Sequence, residues 1–306
     1  MSTAYISHAA CQRHETGSLH PESPRRLRVI EDALIAGGLM GLLVHYDAPR
    51  ATREQLCRVH APAYLDQLDQ LAPREGLVML DPDTAMGPHS LEAAYRAAGA
   101  AVLCVDLVLK GEVRTAFCGV RPPGHHAERE RAMGFCMFNN VAVGAAHALA
   151  SGLERVAIVD FDVHHGNGTE SIFRLDDRVL LCSSFQHPFY PDSPLIEDNP
   201  KIVHAPLKAG AYSEDFQDAI RSRWLPALER FAPQLILVSA GFDGHYEDDM
   251  AQLNLLDSDY LWVTLEIMQV AGRHARGRVV SCLEGGYALD ALARSAVQHI
   301  RGLMGL

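Results

Sequence analysis

Long apolar runs, paired cysteines and positive charge are what this sequence has least of. It contains no stretch of 18 apolar residues, so no segment reads as a membrane-crossing helix. Lysine and arginine number 27 against 38 acidic residues, a formal charge of -11. An electrostatic nucleic-acid binder needs a basic face, and that class is set aside. The seven cysteines, at 11, 57, 104, 118, 136, 182 and 282, are odd in number and form no CxxC pair. That argues against a thiolate zinc cage and a disulfide framework. Cys104, Cys118, Cys182 and Cys282 sit in apolar runs and read as small buried hydrophobes. There is no GxSxG and no cysteine in a recognisable Cys/His motif, so acyl-enzyme chemistry lacks a nucleophile. The opening residues, MSTAYISHAACQRHE, carry no basic stretch leading into a signal-length apolar segment, and the expected compartment is the cytoplasm.

What is present is an ordinary globular balance, with 48% hydrophobic residues over 306 positions and a mean hydropathy of -0.02. Strand-like runs at 3–7, 42–46, 115–120, 156–160, 179–184, 235–240 and 279–283 alternate with helical stretches at 25–36, 91–110, 140–151, 213–231, 258–273 and 289–303. Such alternation predicts an α/β fold, a mostly parallel sheet of about eight strands with helices on both faces. Asp81–His89, rich in Asp, Pro and Gly, reads as a loop. No linker, repeat or low-complexity stretch divides the chain, so a single domain over 1–306 is expected.

The stretch Ile158–Gly168, IVDFDVHHGNG, carries the chemistry. An apolar run ends in Asp160, and alternation along an extended chain points Asp160, Asp162 and His164 to one side. Buried carboxylates beside an imidazole are costly unless a cation sits among them, and oxygen with nitrogen ligands suits zinc or ferrous iron. Three more predicted strands end in unusual residues: Arg121-Pro-Pro-Gly-His125-His126, Ser239-Ala-Gly-Phe-Asp243-Gly-His245 and Glu284-Gly-Gly-Tyr287. In open α/β sheets ligands bind at the carboxyl ends of strands. Alone, each motif has a plain structural role, as a helix cap, a satisfied histidine pair, a turn or a packing tyrosine. Together they give one open metal site of Asp162, His164 and Asp243, with His125 and His126 as general base and acid and Tyr287 donating to an oxyanion. The chemistry reads as metal-assisted amide hydrolysis.

With these motifs assembled, together with Gly134–Asn140 (GFCMFNN), the chain resembles the zinc-dependent histone deacetylase family, within the arginase–deacetylase fold. The resemblance runs from His20-Pro-Glu-Ser-Pro to Tyr287. It implies a zinc site of Asp162, His164 and Asp243, with Asp160 orienting His125. Asn167 stands where class I relatives have Asp, which with Glu284-Gly-Gly looks like class II and leaves His126 the weaker base. It further implies substrate contacts at Gly134, Phe135, Tyr190, Met250 and Gly286, two aromatic planes gripping an acyl-lysine. Structural potassium would be held by Asp160, Asp162, His164, Ser183 and Ser184, and a second potassium by Phe173, Asp176 and Val179. Arg26 matches an arginine lining an internal cavity in relatives. Phe185, where relatives commonly have His, and Phe189-Tyr-Pro-Asp-Ser-Pro194 depart from the pattern, and both departures are expected at the tunnel rim.

Partners implied are an acyl-lysine protein or peptide, or a small acylated amine; nucleic acid and membrane are not expected, and self-association into a homo-oligomer is left open. Met250 occupies the position where polyamine-selective relatives carry Glu, which favours acyl-lysine over acetylpolyamine. The nearby Glu247, Asp248 and Asp249 keep a cationic substrate in view. An arginase-like two-metal site would need a further Asp at the position of Gly166. A non-catalytic binding module would have no use for intact ligands and both histidines.

Overall fold

β-Branched and small apolar residues make Val156–Asp160 a strand that survives only when covered on both sides, and it is buried at every position. The structure, a computed structural model, describes residues 2–195 and 199–306. Its strands are β1 (Thr3–Ser7), β2 (Val44–Asp47), β3 (Val78–Asp81), β4 (Thr84–Met86), β5 (Thr115–Cys118), β6 (Val156–Asp160), β7 (Val179–Gln186), β8 (Ile202–Leu207), β9 (Leu235–Ala240) and β10 (Val279–Leu283). Eight form one sheet in the order β2-β1-β5-β10-β9-β6-β7-β8, every pairing parallel, while β3 and β4 make a separate antiparallel hairpin. This is the arginase–deacetylase fold that the motifs imply.

Parallel neighbours require crossovers, and helices supply them. In β5 the Phe117 ring meets His299 of helix Leu289–Met304, while Cys118 Sγ lies 3.2 Å from Cys104 Sγ of helix Ser90–Lys110. Consecutive strand residues face opposite ways, so these two helices cover opposite sides of the sheet. Helix Ser90–Lys110 packs close beneath the first strands because Gly99 lacks a side chain; a Cβ there would stand 1.9 Å from the Pro49 carbonyl oxygen.

Three local readings need correction. Residues 213–231 are not one helix: Ser213–Ala219 gives way to a π turn, Ile220–Trp224, before Leu225–Phe231. Pro226 has no N–H for the carbonyl four residues back, and the wider turn absorbs the break. The segment read as a loop from Asp81 contains β4, paired with β3 through a two-residue turn. β8 escaped notice because Pro206 interrupts it, which the edge position tolerates.

The topology settles where the motifs meet. β5, β10, β9 and β6 are four consecutive strands in the middle of the sheet. Their carboxyl ends carry His125-His126, Glu284–Tyr287, Asp243 and Asp162-Val-His164 respectively.

Candidate active site and metal centre

β6 stops at Asp160, so Asp162 and His164 do not reach one side by strand alternation. Two side-chain turns bring them together: Asp160 Oδ1 accepts from Asp162 N (3.1 Å), and Asp162 Oδ1 accepts from His164 N (2.9 Å). Asp243, beyond β9, is tied to the same turn when Val163 N donates to its Oδ1 (3.0 Å). The ligand atoms of Asp162, His164 and Asp243 lie within 4.8 Å of one another, and all three residues are buried.

Whether these residues fit a metal is decided by what remains unpaired. Asp243 Oδ2 is buried without a hydrogen bond, although His164 Nδ1 stands 3.2 Å away. Burial, then the charge of Asp162, push the Asp243 carboxyl up to about 6. Burial opposes a charged His164, yet the two carboxylates lift it to about 10. An orphaned carboxylate oxygen, a second carboxylate and an imidazole in a buried cradle fit a divalent ion such as zinc. The cradle depends on Gly285, where a Cβ would stand 2.0 Å from Asp243 Oδ2 and 2.6 Å from Asp162 Oδ2.

The two histidines of the pair, ring centroids 4.0 Å apart, have different partners. His125 Nδ1 donates to Asp160 Oδ2 (3.0 Å), and its Nε2 is 3.7 Å from Asp162 Oδ1. Burial disfavours its charge, but Asp162 and Asp160 outweigh that and hold it well above the usual histidine range. His126 Nδ1 faces Asn167 Oδ1 at 2.8 Å, and Asn167 Nδ2 donates to Glu128 Oε1 (2.8 Å). Glu128 thereby fixes the amide so that it accepts from His126, which leaves Nε2 as the bare lone pair. Burial, then the neighbouring His125 and His164, hold His126 well below the usual range. The loop bearing the pair is anchored by Glu284, which accepts from Gly124 N (2.6 Å), His125 N (3.1 Å) and Ser239 Oγ (3.1 Å).

A cavity of about 290 Å³ opens onto these groups. Gly134, Phe135, Tyr190, Met250 and Tyr287 line it, with Phe189 of the segment expected at the rim, joined by Asp83 and Pro123, which sequence reasoning missed. Phe135 meets the Tyr287 ring edge-on at 5.9 Å, and Tyr190 meets His126 edge-on at 5.3 Å. Of the two glycines after Glu284, Gly285 lines the cavity, whereas the Gly286 carbonyl turns inward to accept from Arg26 Nε (2.7 Å). The buried Arg26 guanidinium lies 4.9 Å from the Tyr287 ring centre. Phe185 is not at the rim: it is 1% exposed and packs against the rings of His165 and His204.

Among the expected potassium residues, Ser183 pairs in register with Asp160, and its hydroxyl is buried without a partner. Ser184 follows on β7. Phe173, Asp176 and Val179 share one turn, closed by Asp176 N to Phe173 O (2.9 Å) and Val179 N to Asp176 O (3.0 Å).

Comparison with known proteins finds relatives over nearly the whole chain. The histone deacetylase domain family model matches residues 20–303. The chain belongs to the histone deacetylase family. The histone deacetylase-like amidohydrolase of Pseudomonas aeruginosa is 40% identical over 277 residues, 88% of this chain and 73% of the relative. The polyamine deacetylase HDAC10 of Mus musculus is 36% identical over 93% of this chain, but only 45% of the mouse protein is covered. The crystal structure of the HDA15 HD domain superimposes with a TM-score of 0.94 at 33% identity, covering 99% of this chain and 88% of that one. A histone deacetylase-family hydrolase of deacetylase or amidohydrolase type is therefore what the sequence encodes.

Proposed function

We propose that this protein is a zinc-dependent deacylase that removes acetyl or other short acyl groups from the Nε-amine of lysine in proteins or peptides. The observation carrying this reading is the unpartnered Asp243 Oδ2 beside Asp162 and His164, at the base of an aromatic-walled cavity. When bound there, the metal supplies Lewis-acid polarisation of the acyl carbonyl and a water of lowered pKa, toward ~7. Ferrous iron would suit the same donor set.

The chain's own residues divide the remaining work. His126 Nε2, bare because Nδ1 is committed to Asn167, takes the proton of the attacking water. The burial and neighbouring charge that make His126 a weak base also make its protonated form a strong donor to the leaving amine. His125, whose charged form Asp162 and Asp160 favour, faces the developing negative charge in place of the general-base role that the sequence suggests for it. The Tyr287 hydroxyl donates to the oxyanion, a contribution on the order of 10²–10³-fold. Phe135 and Tyr190 grip the methylenes of the acyl-lysine, with Gly134 giving clearance; Met250 closes the wall. Asp160, Asp162, His164, Ser183 and Ser184 would hold one structural potassium, the orphan Ser183 hydroxyl supporting that reading, and the turn of Phe173, Asp176 and Val179 a second. Seven free thiols suit the reducing cytoplasm.

Two of the acids near the rim are already engaged within the protein, which supports lysine over polyamine. Asp248 is spent on the backbone, accepting from Tyr287 N (2.6 Å), Ala288 N (2.9 Å) and Met250 N (3.1 Å). Glu247 pairs with Arg294 at 2.7 Å. Turnover of an acetyl-lysine peptide should exceed that of N-acetylputrescine on the same zinc-quantified preparation. The reverse order would make the protein an acetylpolyamine amidohydrolase, and no turnover of either with zinc loaded would remove the enzymatic reading.

A further inference from the structure

A second cluster of metal-binding groups lies outside the cavity. His165, adjacent in sequence to the catalytic ligand His164, turns away from it toward Glu170 of helix Asn167–Phe173. Its Nε2 is 2.9 Å from Glu170 Oε2, and His204 Nε2, from the edge strand β8, is 2.6 Å from the same oxygen. The three ligand atoms lie within 4.8 Å of one another. His165 and Glu170 are each 4% exposed, and the His204 side chain 9%. The ring of Phe185 lies 4.7 Å from that of His165 and 5.6 Å from that of His204, walling the cluster on one side. None of the three residues lines the substrate cavity.

We infer that His165, Glu170 and His204 form a second site for a divalent transition-metal ion, separate from the catalytic centre. Two imidazoles and one carboxylate are a donor set that suits zinc, with a fourth position for water on the side where His204 meets solvent. In the metal-free arrangement both imidazoles must present Nε2–H to one carboxylate oxygen. His165 Nδ1 is then a buried lone pair with no donor, so only Glu170 fixes which nitrogen of that ring carries the proton. Zinc–nitrogen distances of about 2.0–2.1 Å in a tetrahedron place donors about 3.3 Å apart. Opening the present 2.9 and 2.6 Å contacts to that spacing needs shifts of about half an ångström, within side-chain freedom. To bind the ion through Nε2, each neutral ring would move its one proton to Nδ1 by exchange with solvent, with no net proton released, and the ion would balance the buried carboxylate.

Zinc counted by mass spectrometry after equilibrium dialysis at fixed free Zn²⁺ tests this. The full chain should hold two ions, Glu170→Gln and His204→Asn one each, Asp243→Ala one, and Asp243→Ala/His204→Asn none. Zinc should also raise the thermal midpoint of Asp243→Ala but not of Asp243→Ala/Glu170→Gln, the isosteric change serving if the histidine variant fails to fold. One ion in the full chain, unchanged in Glu170→Gln and lost in Asp243→Ala, would overturn the second site and leave the catalytic assignment intact. One ion retained in Asp243→Ala and lost in Glu170→Gln would uphold the second site and overturn the catalytic one.

Discussion

His164 and His165 are consecutive, yet they belong to clusters of opposite design. His164 stands among two carboxylates, with glycine clearance on one side and a cavity on the other. His165 shares a single carboxylate with a second imidazole, beneath a phenylalanine and away from the cavity. The first cluster carries excess negative charge and an oxygen with no hydrogen bond. In the second, both imidazoles donate to the carboxylate without a metal. A site that performs chemistry needs the unsatisfied group and the opening; a structural site needs only the donors.

The largest effect expected from breaking this contrast is Asp243→Ala, which should release the catalytic metal and bring acetyl-lysine turnover to background, read by metal quantification and peptide assay. Glu170→Gln, in the other cluster, should leave turnover close to that of the full chain. Next, Tyr287→Phe should keep the metal and lose turnover on the order of 10²–10³-fold, because only the oxyanion donor is removed. Glu128→Ala should cost on the order of 10-fold in kcat with KM and zinc content unchanged, since Asn167 loses the partner that fixes its amide. Glu128→Gln, which keeps an acceptor oxygen, should recover most of that loss.

The smallest effect concerns a histidine with neither carboxylate nor metal. His299, fully buried between Thr264 and Ser281, is pushed by burial down to about 3. Its unfolded form titrates near 6.5 and takes up a proton that the folded form refuses. Its contribution to stability is therefore lost as pH falls from about 6.5 toward about 3. Urea midpoints across that range should fall less steeply in His299→Gln than in the full chain.

Most of the fold was legible because its central strands are short apolar runs buried on both faces, which a sequence displays directly. Strands Val156–Asp160, Leu235–Ala240 and Val279–Leu283 coincide with the runs that predict them. β8 was not legible, since Pro206 mimics a break, and neither was the β3–β4 hairpin, whose strands are too short for a periodic signal. At the site, residues at strand ends announced themselves. Asp83 and Glu128 did not, because each acts through a loop brought near from elsewhere in the chain: Asp83 accepts from Gly134 N (2.9 Å), and Glu128 reaches Asn167. Phe185 shows the converse limit. A departure from a family pattern marks a position, but only packing tells whether it faces substrate or, as here, a pair of buried imidazoles.

Anomalous diffraction at the zinc edge from crystals of the catalytically active protein tests whether Asp162, His164 and Asp243 hold the metal. A peak is expected about 2.0–2.2 Å from a donor atom of each of Asp162, His164 and Asp243. Active, zinc-loaded crystals with no peak at those three residues would contradict that assignment.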